Sequence, residues 1–471
     1  MKIIFIYPSL SDTGFNIEGG SILFNQMHRG LSCLSSVCKK AGFNDIGLID
    51  LRLLRGWDEF RDKIRQEKPD IAGITMMSPD YEYASKCVDI IKEVSPRVKT
   101  VVGGMHPTVM TSEVADNMKI DHIVTGEGEK AFVELVKRVE KGEPADRIIR
   151  GELADVNGLP FDDREFFDFL EQPFDFFLPL PFATILAGRG CGYSCRFCSP
   201  AGKLMHGYRI RRRSVDNVIE ELKRLRDTYG IKSVQFWDDC FTEDKGWVME
   251  FCDKYAKEGF DQPFVCQTRA DIISKNPDMM KRLKKAGLVM AAVGFESGND
   301  RVLKFMNKGT TLKQNLRAAR ICKTLGVKIW AYIMFGVPTE TNEEAADTVK
   351  MVKKIKPYRT SAAFFTPHPG SFFYQYCEKH GLSLVGQHDS FVRFPEVDKP
   401  KIKNIDYGFL KKEAIKAKKM PFRVKARIRM ERVPAHKKRK TFLREFTKAV
   451  KENPGLNKMA VLRRLHKSRR A

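Results

Sequence analysis

Cys191, Cys195 and Cys198 lie in the segment GRGCGYSCRFCSP, residues 188–200, with three residues between the first two thiols and two between the last two. Three thiols this close together suit a metal centre, and three readings compete. A zinc site takes four ligands, commonly as spaced pairs, and no second CxxC pair follows, so His206 would have to be the fourth. Chance clustering of free thiols is the second reading. An iron–sulfur cluster explains both spacing and count: a 4Fe-4S cluster normally takes four thiolates, and three leave one iron open to another ligand.

The elements around these thiols alternate strand and helix. From residue 183 to about 385 come ATILAGRG, SVQFWDD, PFVCQTRA, MAAVGFESG, VKIWAYIMFGVP and TSAAFFTPHPG, separated by segments of helical apolar spacing. About six such units predict a parallel barrel or partial (β/α)6 barrel with chemistry at the carboxyl ends of its strands. Those ends carry Asp238 and Asp239, Arg269, Glu296 and Ser297, and Gly336.

CxxxCxxC with Phe197 before the last cysteine, just after the first barrel strand, resembles the radical SAM superfamily. That resemblance implies that Cys191, Cys195 and Cys198 hold a 4Fe-4S cluster whose open iron is chelated by S-adenosylmethionine (SAM). One electron then cleaves the sulfonium to a 5′-deoxyadenosyl radical, and an electron donor such as flavodoxin or ferredoxin is implied. By the same resemblance Phe197, Asp238, Asp239, Arg269, Glu296, Ser297 and Gly336 contact SAM. Gly192 stands where many relatives have proline.

Residues 1–145 read as a doubly wound parallel sheet of the Rossmann or flavodoxin-like type: KIIFIYP, DIGLIDL, IAGITMMS, VKTVVGGMHP and HIVTGEGE alternate with amphipathic helices. Such sheets bind ligands at the carboxyl ends of their strands. A receiver needs an acidic cluster at the first strand end, and YPSLSDTG offers only Asp12; a flavin-binding phosphate loop is at best partly present there. Placed before a radical SAM barrel, with VVGGMHPTV and the TGEGE turn, this domain resembles the cobalamin-binding domain of cobalamin-dependent radical SAM enzymes. Gly103 and Gly104 would let backbone approach a bulky ligand, Thr75 and Ser78 would line the cavity for its nucleotide tail, and His106, Gly126 and Glu127 would border it. No D-x-H-x-x-G sequence is present, so cobalamin is expected base-off, with His106 a weak substitute ligand. Methylthiotransferases share the two-domain plan, but Cys33, Cys38 and Cys87 fall on helices and read as core residues. The implied activity is methylation of an unactivated carbon of an apolar or lipid-like small molecule, with a radical cyclase or rearrangement enzyme as the alternative within the family. A non-catalytic cofactor or nucleic-acid-binding protein is the alternative outside it.

Composition sets the frame: 471 residues, 42% of them hydrophobic, make two cores and an appendage. MKIIFIYPSL reads as a strand rather than a leader, and no apolar run approaches the ~18 residues of a membrane span. A cytoplasmic location is expected, where the 11 cysteines stay reduced. Residues 146–182 read as an acidic, phenylalanine-rich linker docked by its rings. Of the net charge of +24, residues 401–471 carry +20. Residues 386–471 read as a basic helical extension whose segments suit an anionic, peripheral membrane surface better than a nucleic acid.

Overall fold

The computed structural model describes residues 1–11, 14–15, 27–167, 178–198, 201–385 and 399–418. Two six-stranded parallel sheets organise it. The first contains β1 (Ile3–Tyr7), β2 (Ile46–Asp50), β3 (Ile71–Thr75), β4 (Lys99–Gly103), β5 (His122–Thr125) and β6 (Ile148–Arg150), in the order β2-β1-β3-β4-β5-β6. Its strands are short apolar runs because both faces are covered: Ile4, Ile6, Ile74 and Val102 pack on one side, Ile3, Phe5, Ile71 and Val101 on the other. The order reverses between β1 and β3, which opens a crevice at their carboxyl ends.

The second half begins with β7 (Phe182–Ile185) and a two-stranded antiparallel ribbon, β8 (Gly188–Arg189) with β9 (Arg211–Arg212). β10 (Ser233–Phe236), β11 (Phe264–Arg269), β12 (Leu288–Glu296), β13 (Lys328–Phe335) and β14 (Arg359–Phe364) complete a sheet ordered β14-β13-β12-β11-β10-β7. Each strand pairs with its sequence neighbour, so the sheet curls one way as a half-barrel. Its outer face buries Phe236, Cys266, Val293 and Phe335 beneath the helices; its inner face packs Phe182, Val265, Met290 and Trp330. The helices start on local signals such as the Thr311–Gln314 and Thr341–Glu344 capping boxes.

Both fold expectations hold, with differences at the edges. β6 pairs with β5 inside the stretch read as linker; at three partly exposed residues, IIR, it is too short to show a period. Further along that stretch, Phe166 meets Phe5 edge-on and Phe167 is buried beside Tyr7, so these rings do dock on the N-terminal core. The helix Tyr407–Lys418, assigned to the basic extension, belongs to the barrel instead: Tyr407, Leu410, Ala414 and Ala417 join the core below β14. The basic segments after Lys418 lie outside the described residues. No helix among the described residues is long and apolar enough to cross a membrane.

Candidate functional site

The three cysteines follow β8 on one loop at the carboxyl end of the half-barrel. Cys191 is half-buried against the barrel core, Cys198 is exposed, and the Cys198 N–H donates to the Cys195 carbonyl at 3.2 Å. All three are free thiols. Burial raises the Cys191 thiol's pKa, and the carboxylates of Glu243 and Asp239 push the same way. The loop is pinned from the barrel: the Arg196 N–H donates to the Met306 carbonyl at 2.9 Å, and Asn307 Nδ2 to the Ser194 carbonyl at 2.8 Å. Among the described residues no three His, Cys, Asp or Glu side chains converge on a single metal ion. His206, the would-be fourth zinc ligand, is instead bonded to Glu127.

Arg269 and Glu296 gather around this loop. Arg269, at the end of β11, stacks 3.5 Å over the Tyr193 ring, donates to Asp271 at 3.0 Å, and brings Nη1 to 3.7 Å from Cys195 Sγ. Glu296 ends β12 at φ +60°, a left-handed conformation that costs a non-glycine residue energy and commonly marks functional sites. Its carboxylate accepts from Lys308 Nζ at 2.9 Å, and that buried ammonium lies 5.6 Å from the Phe197 ring centroid. A cationic pair, Arg269 and Lys308, therefore stands beside the thiols, which suits an anionic thiolate-bound cluster. Tyr193, Asp271 and Lys308 were not legible as site residues; Lys308 falls in the loop after β12 and the short helix Asp300–Phe305, with no local signature.

Three other residues expected to contact SAM have partners within the protein. Asp238 is buried and accepts from Arg212 at 2.8 Å and from the Ala187 N–H at 3.0 Å, which locks β10 to the segment leading into the cysteine loop. Ser297 points into the outer shell, its hydroxyl 3.2 Å from Thr348 Oγ1. Gly336, at φ +75°, turns the chain under Leu410, and its N–H donates to Glu340, whose carboxyl burial pushes up to about 8. Asp239 differs: it faces a cavity, and burial raises its pKa while His206 opposes the shift.

That cavity, of about 670 Å³, lies between the two domains. The N-terminal sheet contributes Tyr7, Thr75, Gly103, Gly104 and Gly126 at strand ends; the barrel contributes Gly188, Arg189, Gly190, Trp237 and Asp239. Gly104 takes φ +116°, and a Cβ there would stand 3.1 Å from the Met76 carbonyl, so the rim admits no side chain at this point. A wide, glycine-rimmed crevice at a topological switch point fits a corrinoid. Ser78 and His106 do not line it. They descend into the turn below, where His106 Nδ1 lies 3.1 Å from the Ser78 hydroxyl and Nε2 3.3 Å from Glu113. Histidines line the wall from both sides, His206 on the barrel side and His28 on the N-terminal side; burial and Arg52 bring the His28 pKa down to about 4, and its Nδ1 accepts from the Leu31 N–H at 3.1 Å, capping the helix Arg29–Lys40. With Nδ1 occupied as acceptor, neutral His28 carries its proton on Nε2, which leaves no lone pair for a metal.

Glu127 lines the same cavity, but its carboxylate turns toward the barrel. Its oxygens accept from His206 Nδ1 at 2.7 Å, from the Ala154 N–H at 2.7 Å, and from Arg211, and Arg189 Nη1 stands 3.2 Å away. Burial alone would raise this carboxyl; these donors outweigh it and hold it down to about 2.

Comparison with known proteins accords with this geometry. Residues 185–352 match the radical SAM superfamily and residues 19–136 match the B12 binding domain. An uncharacterized methyltransferase of Pyrococcus horikoshii is 31% identical over 405 residues, covering 82% of this chain and 85% of that one. The chain belongs to the cobalamin-binding radical SAM enzymes. The anaerobic magnesium-protoporphyrin IX monomethyl ester cyclase of Rubrivivax gelatinosus is 30% identical over 400 residues, covering 80% of this chain and 70% of that enzyme. Among solved structures, the radical SAM methyltransferase TsrM of Kitasatospora setae superposes with a TM-score of 0.60 at 17% identity, covering 80% of this chain and 76% of TsrM, which shows the shared fold. Membership implies a 4Fe-4S cluster, SAM and cobalamin as cofactors.

Proposed function

We propose that this radical SAM enzyme is a methyltransferase that alkylates an unactivated carbon of an apolar small molecule held in the interdomain cavity. One observation carries the reading: the corrinoid-type rim of the first sheet and Gly188, Arg189 and Gly190, the barrel segment that leads directly into Cys191, line the same 670 Å³ space. When bound, the cluster with SAM supplies one-electron chemistry able to remove hydrogen from carbon, and the corrinoid supplies a transferable methyl group.

The chain's own part is to hold, orient and keep dry. Cys191, Cys195 and Cys198 would hold the cluster, with Arg269 and Lys308 placing positive charge beside it. Glu296, anchored by Lys308, would receive the amino group of SAM. Gly103, Gly104 and Gly126 leave the N-terminal rim low enough for a planar macrocycle. Phe5, Phe132, Leu159 and Phe161 line the cavity with apolar surface, which excludes water from reactive species and favours an apolar substrate. An electron donor of the flavodoxin or ferredoxin kind completes the partners.

Cyclisation is the second reading, favoured by the likeness to the Rubrivivax cyclase. Reconstituted protein incubated anaerobically with reductant, cobalamin, cell extract and SAM deuterated in its methyl group separates the two. Methyl transfer gives a product about 17 mass units heavier than its precursor, from net replacement of H by CD3. A product that carries no deuterium from SAM would favour the cyclase and contradict methyl transfer.

A further inference from the structure

The Glu127 cluster crosses the domain boundary at the point where the cysteine loop begins. Glu127 stands between Gly126 and Gly128, all three on the cavity wall at the end of β5, so displacement of this rim by a ligand moves its backbone. Its side chain, though, is committed to barrel donors. Arg189 divides its guanidinium between two N-terminal carboxylates, with Nη1 at 3.2 Å from Glu127 and Nη2 at 2.6 Å from Glu129. Arg211, paired with Arg189 across the β8–β9 ribbon, reaches the same Glu127 oxygen. Only a planar fork can satisfy two carboxylates in this way; an ammonium offers a single point of charge.

Arg189 is two residues before Cys191. The intervening Gly190, at φ +84°, is pressed so close to the ribbon that a Cβ would lie 2.9 Å from the Arg209 carbonyl. That short, tightly packed link leaves little room for Arg189 to shift without shifting Cys191. Glu127 also accepts from the Ala154 N–H, so the interdomain connection is gripped by the same carboxylate.

We propose that Glu127 is a positioning residue that couples the corrinoid site to the cysteine loop, so that occupancy of one side changes affinity on the other. The inference rests on the cobalamin and SAM reading above and adds the element that links their sites. Linkage is reciprocal: if SAM at the loop tightens corrinoid binding, the corrinoid tightens SAM binding by the same factor.

The test uses the full chain with its cluster reconstituted and left oxidised, so that SAM binds without being cleaved. Hydroxocobalamin affinity is measured by absorbance titration with and without saturating SAM. In the wild type SAM is expected to tighten hydroxocobalamin on the order of tenfold. In Glu127→Gln, which keeps size and acceptor oxygen but loses charge, that ratio falls toward one while hydroxocobalamin still binds. Arg189→Lys, which keeps charge but loses the fork, lowers the ratio in the same direction and carries the test if Glu127→Gln fails to retain iron. A merely structural role would weaken both titrations and leave their ratio intact. A wild-type affinity indifferent to SAM, or a wild-type ratio in both variants, overturns the proposal; wild-type protein that binds no hydroxocobalamin overturns the cobalamin reading beneath it as well.

Discussion

Replacing Cys191, Cys195 and Cys198 together by alanine is expected to abolish the iron–sulfur absorbance and the reductive cleavage of SAM, because these three share one loop and are the cysteines that are not buried. The remaining eight cysteines cannot substitute, since Cys33, Cys38, Cys87, Cys240, Cys252, Cys266, Cys322 and Cys377 are all buried. The triple variant should still fold, because Cys195 and Cys198 contribute nothing to the hydrophobic core and Cys191 only borders it. Iron analysis after anaerobic reconstitution, together with 5′-deoxyadenosine measured by mass spectrometry, checks both halves of the expectation. Retention of about four irons per chain in the triple variant would contradict the assignment.

Asp238→Ala has the largest expected effect on stability. This carboxylate is 1% exposed and satisfies both the Arg212 guanidinium and the Ala187 N–H. Arg212 in turn donates to the Cys240 and Phe241 carbonyls at 2.8 and 2.7 Å, and its guanidinium lies 5.0 Å from the Trp247 ring centroid. Removing the acid leaves a buried guanidinium without its counter-charge and an N–H without its acceptor, a change that costs on the order of 3–5 kcal/mol. Asp238→Asn keeps an acceptor for Ala187 and should lose less. Thermal unfolding of the two variants beside the wild type checks the order. Equal loss in both would assign the effect to charge alone, and loss in neither would contradict the lock.

How much of this was legible follows from burial. Strands covered on both faces must be apolar throughout, which is why KIIFIYP, IAGITMMS and MAAVGFE declare themselves and both domains could be laid out from sequence. β6 escaped because an exposed edge strand of three residues obeys no such constraint. The cysteine motif is local, so spacing alone exposed it. Glu127 is the opposite case: its position on the TGEGE turn suggested a ligand contact, whereas its partners Arg189, His206 and Arg211 lie 62, 79 and 84 residues away and no local pattern announces them. Asp238 and Ser297 share that fate, since a strand-end polar residue can face the site or the shell behind it, and sequence does not distinguish the two. His106 was singled out by its neighbours Gly103 and Gly104, yet the short helix that begins at Met105 turns it away from the rim.

A corrinoid at the N-terminal rim of the interdomain cavity and an iron–sulfur cluster on the loop that leaves its barrel wall are expected to lie within range of magnetic interaction. Electron paramagnetic resonance on the full chain, loaded with cobalamin and reduced until cob(II)alamin and the one-electron-reduced cluster coexist, tests it directly. Two half-spin centres, one at the N-terminal rim of a cavity of about 670 Å³ and the other on the loop that leaves its barrel wall at Gly190, are expected to broaden or split one another's signals, and relaxation of the cobalt signal to quicken when the cluster is reduced. Superimposable, uncoupled spectra from a sample that carries both centres in full occupancy would contradict the account.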